Sequence, residues 1–297
     1  MTMVQADLWW PTWQTLPWKR QALLIHQISR YFLSPLLAVD DTVRVNVTYF
    51  GQTFTTYDLL CGGEWLRFIP GARHVLLGAP TPLPTAWQAL LGAATLSPQT
   101  AVDVSPMLVA RKAVPSLEQV IGRIDLTTQR FSGDHFTYVP VKPAVLAALQ
   151  QAGEQNWPAT VSGQGVSLHR QSDHHYQVAI RQDWQRPGLI HGLHRYGFDL
   201  LTEHQYEYVM SGGLAQATPW GNTLPAPLPR YVPNRFGLTV PVARAGSELI
   251  AEEWGKSTAL QPPLAAAQVA ALSPWFRTPA PAFATSTYRK VAVIRLD

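Results

Sequence analysis

The sequence predicts an α+β fold of short twisted strands and few helices joined by long loops. Three observations point there. Charged residues make up 14% of the 297 residues while Pro (25), Gly (20) and Trp (11) are abundant, a mixture that suits irregular chain and aromatic packing rather than a helical bundle. Thr42–Phe50 alternates strictly, with Val43, Val45, Val47 and Tyr49 against Arg44, Asn46 and Thr48, as a half-buried strand does. Thr202 is a good helix N-cap, Gln205 can return a hydrogen bond to the cap's own N–H, and Gly212-Gly213 stops the helix so begun.

Size and charge narrow the function. A chain of 297 residues, 46% of them apolar, can bury the core of one large or two ordinary domains. The net charge is +4, and no basic run is longer than Lys19-Arg20 or Arg111-Lys112, so no nucleic-acid groove is expected. The one cysteine, Cys61, excludes an internal disulfide and a cysteine zinc cage. The first residues have no basic segment followed by an apolar one, and no apolar run reaches the length of a membrane span. The expected location is the cytoplasm, with no membrane partner.

Taken in order, Trp9, Trp10, Trp13 and Trp18 predict an N-terminal arm packed on the body, because tryptophans at this density are poor surface residues. Trp18–Leu33 reads as a helix with Ala22, Ile25, Ile28, Ser29 and Phe32 on one face and Pro35 beyond its end. The strand from Thr42 turns at Gly51-Gln52 into Thr53–Tyr57 as a hairpin. A helix is expected at Ser116–Ile124 and another at Pro143–Ala152, stopped by Gly153. Val166–Ile180 reads as a hairpin turning at Gln171–His174. On the helix after Thr202, Tyr206, Val209 and Met210 share an apolar face, and Glu203 sits in the first turn, where the dipole favours an anion. Pro225–Pro229 and Pro279–Pro281 read as loops.

Four segments then carry a resemblance. The first reads Leu201-Thr-Glu-His-Gln-Tyr-Glu-Tyr208, then Gly212-Gly213, then Pro219-Trp-Gly-Asn222. This resembles the core signature of the formylglycine-generating enzyme (sulfatase-modifying factor) family, whose members carry Leu-Pro-Thr-Glu-Ala-Glu-Trp-Glu-Tyr, a Gly-Gly pair and Pro-Trp-Gly. Gly63–Gly78, with its Ile-Pro-Gly turn at Pro70-Gly71, resembles the opening strand pair of that domain. Val232-Pro-Asn-Arg-Phe-Gly-Leu238 resembles its Pro-Asn-x-Phe/Tyr-Gly-Leu segment. Tyr288–Leu296 resembles its closing strand, with Val293 and Ile294 where Gly and Phe are usual.

The resemblance implies an irregular, C-type-lectin-related α+β domain over residues 61–297. Residues 1–60 then form an extension of helix plus hairpin packed on it. Thr202, Glu203, Glu207, Trp220, Gly221, Asn234 and Gly237 would be structural motif residues. Residues 79–135 match the family poorly. The helix that usually precedes the Thr-Glu segment looks nearly absent, since Pro187–Gly192 runs almost directly into Gly197.

The family enzyme activates oxygen on copper(I) held by two cysteines near the C-terminus, soft thiolates suiting that ion. The corresponding stretch here, Trp254–Arg277, has no cysteine, and the neighbouring Arg-Gly-Gly-Ser motif is not recognisable. Cys61 reads as a packing thiol. Copper and formylglycine formation are therefore not expected. A structural calcium site is open, but Glu248, Glu252 and Glu253 supply too few oxygens to complete one.

The leading expectation is a peptide- or small-ligand-binding or accessory protein whose candidate site is Trp254, Trp275, Arg277 and Tyr288, where family members build the floor of the substrate groove. One alternative is a non-heme iron oxygenase, like the sulfoxide synthases that share the domain, with His191, His194 and His204 as candidate ligands. Another is a lectin-like protein displaying a variable ligand surface. Glu203 and Glu207, four residues apart, could pair for acid–base chemistry, but the resemblance gives them a supporting role.

Overall fold

A six-stranded sheet in the order β1-β2-β3-β6-β19-β13 holds the centre. The computed structural model describes residues 5–49, 52–92, 94–223, 231–241, 245–261, 264 and 266–295. The sheet comprises β1 (Val39–Tyr49), β2 (Gln52–Cys61), β3 (Glu64–Ile69), β6 (Met107–Ala110), β19 (Lys290–Val293) and β13 (Asp199–Leu200). Every neighbouring pair in it is antiparallel. β2 and β3 are joined by Gly62-Gly63, whose φ values of 55° and 82° are those of a two-residue hairpin turn with both central residues left-handed. Gly63 answers a second demand, because a Cβ there would overlap the backbone of Gly122 in the next sheet.

That second sheet runs β10-β11-β12-β8-β9, formed by Thr160–Gly163, Val166–Ser172, His175–Arg181, Glu118–Asp125 and Phe131–Gly133 respectively. One face is covered by α4 (His135–Glu154), and Ile121, Tyr138, Val145, Leu168, Tyr176 and Val178 form its core. A larger core gathers Trp13, Leu24, Phe68, Leu108, Val209, Phe236 and Trp275 around the central sheet. The result is an α+β architecture of mostly antiparallel strands.

The helix expected at Ser116–Ile124 is strand β8. Val120, Ile121 and Ile124 have helical spacing, but Gly122 pairs with Gly133 of β9, and a Cβ on it would overlap the Phe131 ring and Ser132 O. The hairpin from Val166 to Ile180 is present as β11 and β12, with Ser172 opposite His175.

Asp134 caps α4, accepting from Thr137 N at 3.1 Å, so the helix starts eight residues before the expected Pro143. Pro140 and Pro143 lie inside it on the exposed face, where the carbonyls they leave unbonded meet water. The helix thought nearly absent before Gly197 exists as α5 (Arg186–His194), with Pro187 in its first turn and Gly192 inside it.

The N-terminal arm contains α1 (Thr12–Thr15) and α2 (Trp18–Tyr31), the latter burying Gln21, Leu24, Ile25 and Ile28. Trp13 is fully buried and donates from Nε1 to Thr55 O at 2.9 Å, whereas Trp18 is 57% exposed. The arm is therefore anchored by Trp13, with Trp9 and Trp10 half-buried beside it. Gly51 of the expected Gly51-Gln52 turn, the proline loop 225–229 and Leu296 of the closing segment lie outside the described residues.

β3 and β4 (Ala72–Leu77) break at Pro70-Gly71 as expected but do not pair with each other. Gly71 instead exchanges hydrogen bonds with the arm, through Trp10 N at 2.8 Å and Leu8 O at 3.0 Å. β4 pairs with β5 (Thr100–Val104), and α3 (Thr85–Leu91) lies between them in sequence. A four-stranded sheet, β17-β16-β18-β7, joins Gly255–Lys256, Glu248–Leu249, Thr287–Tyr288 and Val114–Pro115. β14 (Tyr231–Pro233) pairs with β15 (Thr239–Pro241). The remaining helices are α6 (Glu203–Ser211) and α7 (Ala266–Val269). Among the described residues no helix is long and apolar enough to cross a membrane.

Candidate functional site

α6 starts where its sequence asks it to. Thr202 Oγ1 accepts from Gln205 N at 3.3 Å and Gln205 Oε1 accepts from Thr202 N at 2.9 Å, closing the capping box. Gly212, at φ 67°, ends the helix in the left-handed conformation. So framed, α6 turns Glu203 and Glu207 inward, at 6% and 1% exposure.

Lys256, on β17 and fully buried, lies between them, with Nζ 2.7 Å from Glu203 Oε1 and 2.7 Å from Glu207 Oε1. Glu203 also accepts from Arg277 Nε at 2.8 Å, from Arg277 Nη2, and from Trp254 Nε1 at 3.0 Å. The Arg277 guanidinium stacks on Trp254, 4.7 Å from the ring centroid. Burial alone would raise the Glu203 carboxyl, but Arg277 and Lys256 outweigh it and hold the group at about 2. Glu207 has Lys256 and the Ser97 hydroxyl, and burial dominates, pushing its carboxyl up. Its Oε2 has no hydrogen-bond partner among the described residues. This is a closed ion network that ties α6 to β17 and the 277 segment, and its carboxylates are shut away from substrate.

The four expected ligand residues therefore do not line one concavity. Trp254 and Arg277 are occupied with Glu203. Trp275 is fully buried, its indole donating to Gln216 O at 2.8 Å. Tyr288, 4% exposed, donates to Glu118 O at 3.1 Å on β8 of the second sheet. His191 and His194 are exposed on α5 and His204 is exposed on α6, with His194 Nε2 3.5 Å from Asp199 Oδ2. Among the described residues no three His, Cys, Asp or Glu side chains gather as a metal site. Glu248 is taken by Arg289 Nε at 3.0 Å, and the Glu252 carboxylate accepts from Glu203 N at 2.9 Å, so neither is turned to a shared cation.

The motif residues do come together. Asn234 donates to Val209 O on α6 at 2.6 Å and accepts from Phe236 N at 3.1 Å and Leu238 N at 3.0 Å. Arg67 on β3 donates to Phe236 O at 2.8 Å while gripping Asp58 through two bonds of 2.7 Å each. Tyr208 on α6 donates to Pro70 O at 2.9 Å, and β13, just before Thr202, pairs with β19. Gly237, at φ 71°, packs against the Arg67 guanidinium, and Gly221, at φ 118°, closes a turn on Thr218 through N to O at 3.1 Å. Trp220 is 6% exposed, and its indole N–H has no partner among the described residues.

A cleft of about 110 Å³ opens where the two sheets and α5 meet. Glu64 and Lys290 form an ion pair in its wall, the Lys290 ammonium also lying 4.6 Å from the Phe198 ring centroid. Asp40, Asp134, Trp184, Tyr196 and Tyr288 complete the charged and aromatic lining. Trp184 is fixed by its indole donating to Ser116 O at 2.7 Å and by α5, where a Cβ on Gly188 would come within 2.8 Å of its Cβ. Asp134 accepts from Tyr196 OH at 3.0 Å as well as capping α4. Burial, which would raise its carboxyl, is outweighed by the Thr137 and Tyr196 hydrogen bonds, and the group is lowered.

Of these residues only Tyr288 was a sequence candidate, and for a different wall. The signal available was charge among apolar strand residues, Glu64 beside Arg67 in Glu-Trp-Leu-Arg-Phe-Ile and Lys290 in Lys-Val-Ala-Val, since a buried charge needs a partner. Cys61 is fully buried nearby, and burial pushes its thiol up to about 12. Comparison with protein-family models, with curated proteins and with solved structures returned no match.

Proposed function

We propose that the chain is a binding protein on a formylglycine-generating-enzyme-like scaffold, one that takes a peptide or small ligand and does not oxidise cysteine. The scaffold reading rests on the four resembling segments: the first three touch through Arg67–Phe236, Tyr208–Pro70 and Asn234–Val209, and β13, the strand just before the first, pairs with β19 in the fourth. Loss of the oxidase activity follows from the sequence, because one cysteine cannot make the copper pair, and Cys61 is buried with its thiol raised.

The observation that carries the binding role is the cleft beside Glu64 and Lys290, which combines aromatic walls, charged groups and a position at a seam between two cores. The earlier candidate wall at Trp254 and Arg277 is consumed by internal contacts, so the binding site moves to this cleft.

The test compares the protein with Ala38→Trp, which places a bulky side chain at an exposed position of the lining. A small-molecule and short-peptide library is screened by thermal shift. Ligands that stabilise the wild type and leave Ala38→Trp unmoved support the reading. An absence of any stabilising ligand, or equal stabilisation of both proteins, overturns it.

A further inference from the structure

The same cleft, taken as the binding site, also carries the chemistry of its ligand. Its lining holds three carboxylates, Asp40, Glu64 and Asp134, against the single ammonium of Lys290. Glu64 and Lys290 neutralise each other in their ion pair. Asp134 is met by neutral donors, the Thr137 amide and hydroxyl and the Tyr196 hydroxyl. Asp40 is exposed at the mouth. Among the described residues neither Asp40 nor Asp134 forms an ion pair, Arg195 lying on the Tyr196 ring at 5.6 Å from its centroid, and the concave wall concentrates the field of the two carboxylates.

The rest of the wall suits the same kind of guest. Trp184, Tyr196 and Phe198 bring aromatic rings to the lining, and ring faces attract cations. The cleft already holds one ammonium in this manner, Lys290 over Phe198 and against Glu64. Its volume of about 110 Å³ corresponds to about four waters at their liquid packing, enough for a charged head group with a short stem whose remainder stays at the open mouth.

We infer that the cleft binds an organic ammonium group, with Asp40 and Asp134 supplying the charge and Trp184 and Tyr196 the aromatic wall. The ammonium belongs to a free small amine or to a lysine side chain of a peptide. Asp134 and Tyr196 are pre-set for this, because the α4 cap fixes the carboxylate and the Tyr196 hydroxyl holds its second oxygen.

The experiment is calorimetric titration of the full chain with three probes of matched size: benzylammonium, benzyl alcohol and phenylacetate. A fourth probe, a blocked tripeptide with central lysine, separates the peptide source from the free amine. Benzylammonium is expected to bind at least ten-fold tighter than the alcohol, weaken with added salt, and lose at least five-fold in affinity in Asp40→Asn. Asp40 is exposed, so that variant keeps the fold, and the thermal midpoint confirms it. Tighter binding of the lysine tripeptide than of benzylammonium assigns the peptide source, and the reverse assigns the free amine.

Binding of phenylacetate or the alcohol as tight as the amine, and blocked by Ala38→Trp, keeps the cleft as the site but overturns its cation chemistry. Amine binding unchanged in both Asp40→Asn and Ala38→Trp overturns the inference and the site together. No binding of either ammonium probe overturns the inference, and the library screen then decides the site alone.

Discussion

Replacing Lys256 by Met isolates the energetics of the buried ion network. Methionine nearly conserves volume, so the change removes charge with little cavity. Glu203 retains Arg277 and Trp254, but Glu207 is left with the Ser97 hydroxyl. Deleting one partner of a buried pair costs about 3–5 kcal/mol.

An independent route gives a similar figure. The stranded Glu207 can escape only by taking a proton, which at pH 7 costs a carboxyl with an ordinary value of 4.5 about 3 kcal/mol at 1.36 kcal/mol per tenfold change. The sign with pH follows. A carboxyl whose folded value is raised destabilises the fold above its unfolded value, and that cost disappears as pH falls towards 4.5.

Urea denaturation should therefore show Lys256→Met about 3 kcal/mol less stable than wild type at pH 7 and within about 1 kcal/mol of it at pH 5. Adding Glu207→Gln should restore most of the loss at pH 7. A loss below about 1 kcal/mol at pH 7, an equal loss at both pH values, or no rescue by the second change would refute the reasoning.

Gly237→Ala should cost roughly 2–4 kcal/mol, because the residue has φ 71° and the new Cβ would overlap the Arg67 guanidinium and approach Val47 Cγ2 at 2.7 Å. Gly165→Ala is the control in thermal melts, since its φ of 79° is similar but nothing lies within 4 Å, so only the backbone term of about 1–2 kcal/mol remains. Equal losses in the two variants would refute the role given to the Arg67 contact. Cys61 should resist a water-soluble maleimide at pH 8 in the native protein and react completely once denaturant exposes it, given its burial and a thiol pushed up to about 12. Rapid native labelling would refute its placement.

Local chemistry made part of this molecule readable in advance. The α6 capping box, its glycine stop and the 166–180 hairpin each depend on residues within a few positions of one another, and all are present. β8 departs from the expected helix because Val120, Ile121 and Ile124 satisfy helical spacing, while the neighbours that make Gly122 necessary, Phe131 and Ser132, are brought to it by the pairing of β8 with β9. β4 lies beside β5 and not β3 because the arm claims Gly71, a pairing no short window contains.

The candidate site divides in the same manner. The supporting role of Glu203 and Glu207 was legible from their motif, but Lys256, their shared cation, is 49 residues from Glu207 in sequence. The cleft is assembled from the 36–40 segment, both sheets and α5, so its charge balance exists only after folding.

The chain leaves the second sheet almost where it joined it, since Gln182 N donates to Leu117 O at 2.8 Å. For the central sheet, everything from 118 to 181 is a closed excursion whose two ends are already clamped. Closure entropy rises only with the logarithm of loop length, so lengthening or trimming that excursion at its hairpin tips barely taxes the pairing of β3, β6 and β19. With a separate core, α4 and its strands are the expected unit of local opening, which hydrogen exchange would report. Because Gln119, Val120, Ile121, Gly133 and Asp134 line the cleft, such breathing would widen one wall against a fixed other. Selection acting on this excursion could retune what the cleft admits at little expense to the stability of the body that carries it.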